Sequence, residues 1–205
     1  MSSYRGPATT AQLAETLKGA AAALRAADVP FALAGSVACW ARGGPAPYKD
    51  VDLAIREADA ERAERALAAA GMRTERPAEG WLLKAFDDDV LVDLIWDFEG
   101  DATVDELLGG AEELTVESVR MPVLALDDVL VSKLCALDEH DLDLAAPLAI
   151  ARALREQVDW SLVRERTAQS PYARAFLSLL EALAIVAPGA PRRAHGPSVR
   201  VVPGG

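Results

Sequence analysis

Two aspartates set two positions apart in an otherwise apolar run, Asp50-Val51-Asp52-Leu53, constrain this chain more than any other feature. Alternate residues of a strand point to one face, so the two carboxylates stand side by side where a sheet ordinarily hides apolar groups. Adjacent anions repel, and a bound divalent cation is the simplest compensation. Upstream, Phe31-Ala32-Leu33-Ala34 reads as a buried strand and Gly35-Ser36 as a turn into a short helix over 36–42. Such a turn offers backbone N–H groups and a hydroxyl to phosphate. Ser36 can equally serve as the N-cap of that helix. A third acid, Asp93, interrupts the β-prone run Val90-Leu91-Val92-Asp93-Leu94-Ile95-Trp96. Two carboxylates on one strand and a third on another form the set a two-metal phosphoryl-transfer site requires.

The remaining pattern predicts a mixed α/β (α+β) architecture. Helices are expected at 9–27, capped by Thr9 or Thr10, and at 58–70, closed by Gly71. A strand is expected at 72–75. Strands at 81–86 and 90–96 flank Asp87-Asp88-Asp89, an acidic trio read as a solvated hairpin turn. A short helix at 103–109 and one extended segment at 114–124, ending near Pro122, follow. From Asp127 the chain reads as helices alone, 127–137, 144–157, 159–167 and 172–186, with Asp127, Asp159 and Ser170 as caps. The expected organisation is a small mixed-sheet core with its N-terminal helix at 1–120, a helical region at 121–186 and a flexible Pro/Gly/Arg-rich tail at 187–205. Trp81, Trp96 and Trp160 are expected to pack in the core or at its edge.

Apolar residues make up 51% of the 205, enough to bury a proper core. The formal charge of −11 disfavours long-range attraction to a polyanion and favours Mg²⁺ and cationic or neutral acceptors. Cys39 and Cys135 lack metal-ligand spacing and read as reduced core residues. No apolar run is long enough to span a bilayer, and no signal sequence is evident at the start, so a cytoplasmic protein is expected. His140 and His195 complete neither a Ser/His/Asp arrangement nor a zinc site. Arg42 and Lys49, on either side of the loop before Asp50, are candidates for phosphate contact, the alternative being surface charges.

The order Gly35-Ser36, then Asp50-Val51-Asp52, then Asp93 between Val92 and Leu94 resembles the DNA polymerase beta-like nucleotidyltransferase superfamily over roughly residues 30–97. It is similar to small bacterial members related to abortive-infection and toxin–antitoxin nucleotidyltransferases. The resemblance implies a Mg²⁺-dependent enzyme (two ions) that moves a nucleoside monophosphate from an NTP to an acceptor hydroxyl and releases pyrophosphate. Asp50, Asp52 and Asp93 would be the catalytic and metal-holding residues, and Gly35 and Ser36 would hold the β- and γ-phosphates. Lys133, on a later helix, would contact the triphosphate, with Asp141 or Asp143 of the His140-Asp141-Leu142-Asp143-Leu144 segment in support. The acceptor could be RNA such as a tRNA end, a small cationic molecule or a protein hydroxyl, and the toxin-like relatives imply an antitoxin-like partner. The chain departs from these relatives at Ala46-Pro47-Tyr48, where many carry Arg and Thr or Ser. That departure leaves a second expectation: a degenerate member that binds nucleotide or a partner protein without turnover.

Overall fold

A computed structural model describes residues 9–47 and 50–188. Lys49, Tyr48, His195 and all but the first two residues of the expected tail lie outside the described residues. The chain opens with helix α1 (Thr10–Ala26), whose N-cap Thr9 accepts from the Gln12 N–H while the Gln12 side chain reaches back, a capping box. Strand β1 (Phe31–Leu33) follows, then helix α2 (Gly35–Ala41), strand β2 (Asp50–Ile55), helix α3 (Ala60–Ala69) and strand β3 (Arg73–Glu75). Strands β4 (Leu82–Asp87) and β5 (Val90–Ile95) form the expected hairpin, with Asp88 in the left-handed region at φ 51°.

Helix α4 (Val104–Gly109) leads into strands β6 (Glu112–Val116) and β7 (Val119–Val123). These two strands replace the single extended segment expected at 114–124. Their turn, Glu117-Ser118, has both residues at positive φ, 47° and 68°, which is hairpin geometry without the glycine or asparagine that announces it. Pro122 lies inside β7 and pairs with Glu113, while β1 meets β7 only at Val123. Because β7 spans 119–123, it runs across the 120/121 division drawn between core and helical region. Four α-helices finish the described chain, α5 (Leu126–Cys135), α6 (Ala145–Leu154), α7 (Trp160–Arg166) and α8 (Pro171–Ala182), with a 3-10 turn at Arg155–Gln157 between α6 and α7. Asp159 and Ser170 cap α7 and α8 as expected. Asp127 does not cap α5. The cap is Ala125, and the Asp127 carboxylate instead accepts from the Asp159 N–H at 3.0 Å, joining the starts of two helices.

The seven strands form one mixed sheet in the order β3-β4-β5-β2-β1-β7-β6. At its centre β2 and β5 run parallel, and β1 lies antiparallel to β2. Residues alternating with the acids, Val51 and Leu53 on β2 and Val92 and Leu94 on β5, are fully buried in a core shared with α1, α3 and the C-terminal helices. Period-2 alternation therefore leaves Asp50, Asp52 and Asp93 together on the opposite face.

Candidate active site

The parallel register sets Asp52 directly beside Asp93, one strand apart, with Asp50 two residues before Asp52. One oxygen from each of the three carboxylates lies within 4.8 Å of the other two. Opposite this trio β1 ends, and the chain is pinned there by the Ala34 N–H donating to the Asp52 carbonyl at 2.9 Å. Gly35 then takes φ 52°, a left-handed turn that starts α2. A side chain at this position is excluded by the site itself: a Cβ would overlap the Asp52 carboxylate, lying 2.7 Å from its Cγ. Helix α2 is capped by Ala34, so Ser36 is not the N-cap but a first-turn residue whose backbone N–H acts on the Asp52 carboxyl.

The electrostatics are those of a site short of positive charge. Burial, followed by the nearby Asp50 charge, pushes the Asp52 carboxyl up to about 7; Asp93 adds to the rise, and Lys133 and the Ser36 N–H oppose it. Burial also raises Asp93, against the attraction of Lys84. The Lys84 Nζ stands 3.7 Å from Asp93 Oδ1, an ion-pair distance too long for a hydrogen bond, and that buried oxygen has no hydrogen-bond partner. Three crowded acids, one carrying an orphaned oxygen, are a donor set that fits a hard divalent cation.

A cavity of about 590 Å³ opens beside the acids. Gly35, Asp52 and Lys133 line it, together with Trp81 and the residues Asp97, Phe98 and Glu99 that follow β5. The structure thus brings together Gly35, Asp50, Asp52, Asp93 and Lys133, with Ser36 adjoining. Arg42 does not join them. Its side chain, 9% exposed, is committed through the guanidinium to Glu112 and to the Leu124 carbonyl, each at 2.9 Å, and ties α2 to the β6–β7 edge of the sheet. Asp141 and Asp143 are exposed and do not line the cavity; the Asp143 carboxylate accepts from the Ala145 N–H at 2.9 Å, at the start of α6.

Sequence reasoning missed two residues. Trp81, expected to pack, is 42% exposed and lines the cavity. Lys84 sits directly across the β4–β5 ladder from Asp93, a position readable by counting back from the two-residue turn.

The profile of a family described as "Uncharacterised nucleotidyltransferase" matches residues 8–187. The chain belongs to that nucleotidyltransferase family. No curated protein matches it. Among solved structures the nucleotidyltransferase is similar to the antibiotic-resistance factor ANT(2'')-Ia in solution: TM-score 0.61 and 17% identity, covering 86% of this chain and 97% of that one. ANT(2'')-Ia with adenylyl-2''-tobramycin gives TM-score 0.58 and 16% identity, covering 81% and 97%. The lincosamide antibiotic adenylyltransferase LnuA, lincomycin-bound, gives TM-score 0.51 and 12% identity, covering 70% and 97%. At these identities the likeness is one of fold. Among the described residues of the nucleotidyltransferase, no helix is long and apolar enough to cross a membrane.

Proposed function

We propose that this nucleotidyltransferase transfers a nucleoside monophosphate from a Mg²⁺-bound NTP to a hydroxyl of a small, cationic acceptor. The observation that carries the reading is the convergence of Asp50, Asp52 and Asp93 beside Gly35 and Lys133 at one cavity. The three carboxylates would hold two Mg²⁺ ions, Asp93 contributing to the second. When bound, the metal supplies charge neutralisation for the triphosphate and a more acidic acceptor hydroxyl.

The chain's own residues do the rest. Gly35, whose missing side chain leaves room for the Asp52 carboxylate, and Ser36 beside it would hold the β- and γ-phosphates at the turn that opens α2. Lys133, a point charge at the cavity wall, contacts non-bridging phosphate oxygens. Asp93 would also take the proton of the attacking hydroxyl, as a general base. The acceptor oxygen bonds to the α-phosphorus as the bond to the departing pyrophosphate breaks. Positioning and electrostatics carry the rate, with no covalent enzyme intermediate.

The acceptor class rests on the cavity. Asp97 and Glu99 line the cavity together with the aromatic residues Trp81 and Phe98, a lining that suits an ammonium group, and the net charge of −11 acts in the same direction. ANT(2'')-Ia and LnuA, seen with a tobramycin adduct and with lincomycin, share the fold around small-molecule acceptors. Incubating the protein and Mg²⁺ with α-labelled NTPs and a panel of hydroxyl-bearing polyamines, uncharged polyols and tRNA tests the reading. Label should pass to a polyamine-type acceptor and not to the polyols. Labelled tRNA with unlabelled polyamines would overturn the acceptor class.

A further inference from the structure

Within the triad the negative charge is not evenly met. Among the described residues Asp93 alone of the three has an ion pair, and its partner is Lys84. The antiparallel register fixes this pairing, since Lys84 and Asp93 are direct cross-strand partners and their side chains leave the sheet on the same face. The lysine is no loose surface charge: its side chain is 32% exposed and the aspartate's 14%. At 3.7 Å it is close enough to Asp93 Oδ1 to neutralise that oxygen but forms no hydrogen bond with it, so the oxygen stays available to another ligand. Among the described residues Asp50 and Asp52 have no ion pair; Lys133 attracts Asp52 from beyond ion-pair distance, while Asp50 crowds it.

We propose that Lys84 is a tethered cation that holds the charge-neutralising place at Asp93 and competes with the second divalent ion for it. The inference rests on the metal centre described above and concerns how that centre fills. Asp50 and Asp52 form the open half, which takes the first ion. The Asp93 half is already compensated, so its ion must outbid a lysine that cannot diffuse away. An incoming triphosphate tips that competition, because it adds negative charge to the face where Lys84 ends. The enzyme then assembles its full complement of metal only with substrate present. A like charge a few ångströms from a divalent ion in a partly buried site weakens binding by tenfold or more.

Titration of the full-length, nucleotide-free protein with Mn²⁺, with free Mn²⁺ followed by electron paramagnetic resonance, tests the proposal without any turnover. Lys84→Met and Lys84→Gln should bind Mn²⁺ about tenfold or more tightly than wild type. Lys84→Arg, which keeps the charge, should stay within about twofold of wild type. In an Asp93→Asn background Lys84→Met should bring no further tightening. If Lys84→Met and Lys84→Gln both bind Mn²⁺ no more tightly than wild type, Lys84 is a simple cross-strand ion pair and the proposal is wrong. If none of these proteins binds Mn²⁺ at millimolar concentration, the metal centre itself falls, and the proposal with it.

Discussion

At the scale of single residues, Gly35 and Asp52 act as one unit. The carboxylate occupies the space a side chain at position 35 would need, and the backbone there is left-handed. Gly35→Ala should therefore cost about 1–3 kcal/mol of stability by denaturant unfolding and displace Asp52, lowering transfer at least about 100-fold. Wild-type activity in that variant would show that the close approach is incidental. Asp52 also predicts a pH dependence. Its carboxyl binds a proton more tightly in the folded, metal-free protein than in the unfolded chain, with the folded value raised to about 7. The stability that Asp52 contributes in EDTA should thus be fully present below about pH 4, fall by up to about 1.4 kcal/mol per unit as the pH rises from there to about 7, then level off. Asp52→Asn should flatten that decline; parallel curves for the two proteins would contradict the assignment. Asp50, Asp52, Asp93 and Gly35 were legible in the sequence because charged residues inside apolar runs and a Gly-Ser turn are local signals. Arg42 was misleading for the converse reason: its position before Asp50 says nothing of Glu112, seventy residues on, which engages it.

At the scale of elements, α5 carries the cation that faces the acids. Lys133 lies on the last turn of this helix and lines the cavity, while Val129 and Leu130 on the same helix are buried. Lys133→Met should raise the KM for the NTP about tenfold while leaving the melting temperature within a degree or two, because a phosphate contact is lost and no core contact is. An unchanged KM would remove Lys133 from the binding site. Most elements followed from periodicity and capping residues such as Thr9, Asp159 and Ser170. The β6–β7 hairpin did not, since Glu117 and Ser118 adopt positive φ without the residue types that betray such turns. The start of α5 was also misjudged: Asp127 sits in its first turn, where the helix dipole favours an acid, but its hydrogen bond goes to α7.

At the scale of the whole molecule, function depends on which strands become neighbours. β2 and β5 pair in parallel at the centre of the sheet although some forty residues separate them in the chain, and only that pairing sets Asp93 beside Asp52. Strand-internal patterns carry no information about such a pairing, so it was not legible in the sequence. The same topology gathers the end of β5, the start of β4 and helix α5 around one cavity, which is how Trp81 reaches a site that its own neighbours in sequence do not announce. The central claim is that the three carboxylates grip divalent metal together with an NTP. A crystal of the protein grown with Mn²⁺ and a non-hydrolysable NTP analogue, read by anomalous diffraction, tests it most directly. The account predicts anomalous peaks about 2.0–2.3 Å from oxygens of Asp50, Asp52 and Asp93, with the triphosphate against Gly35 and Lys133. Nucleotide bound elsewhere, or a triad without a peak, would contradict it.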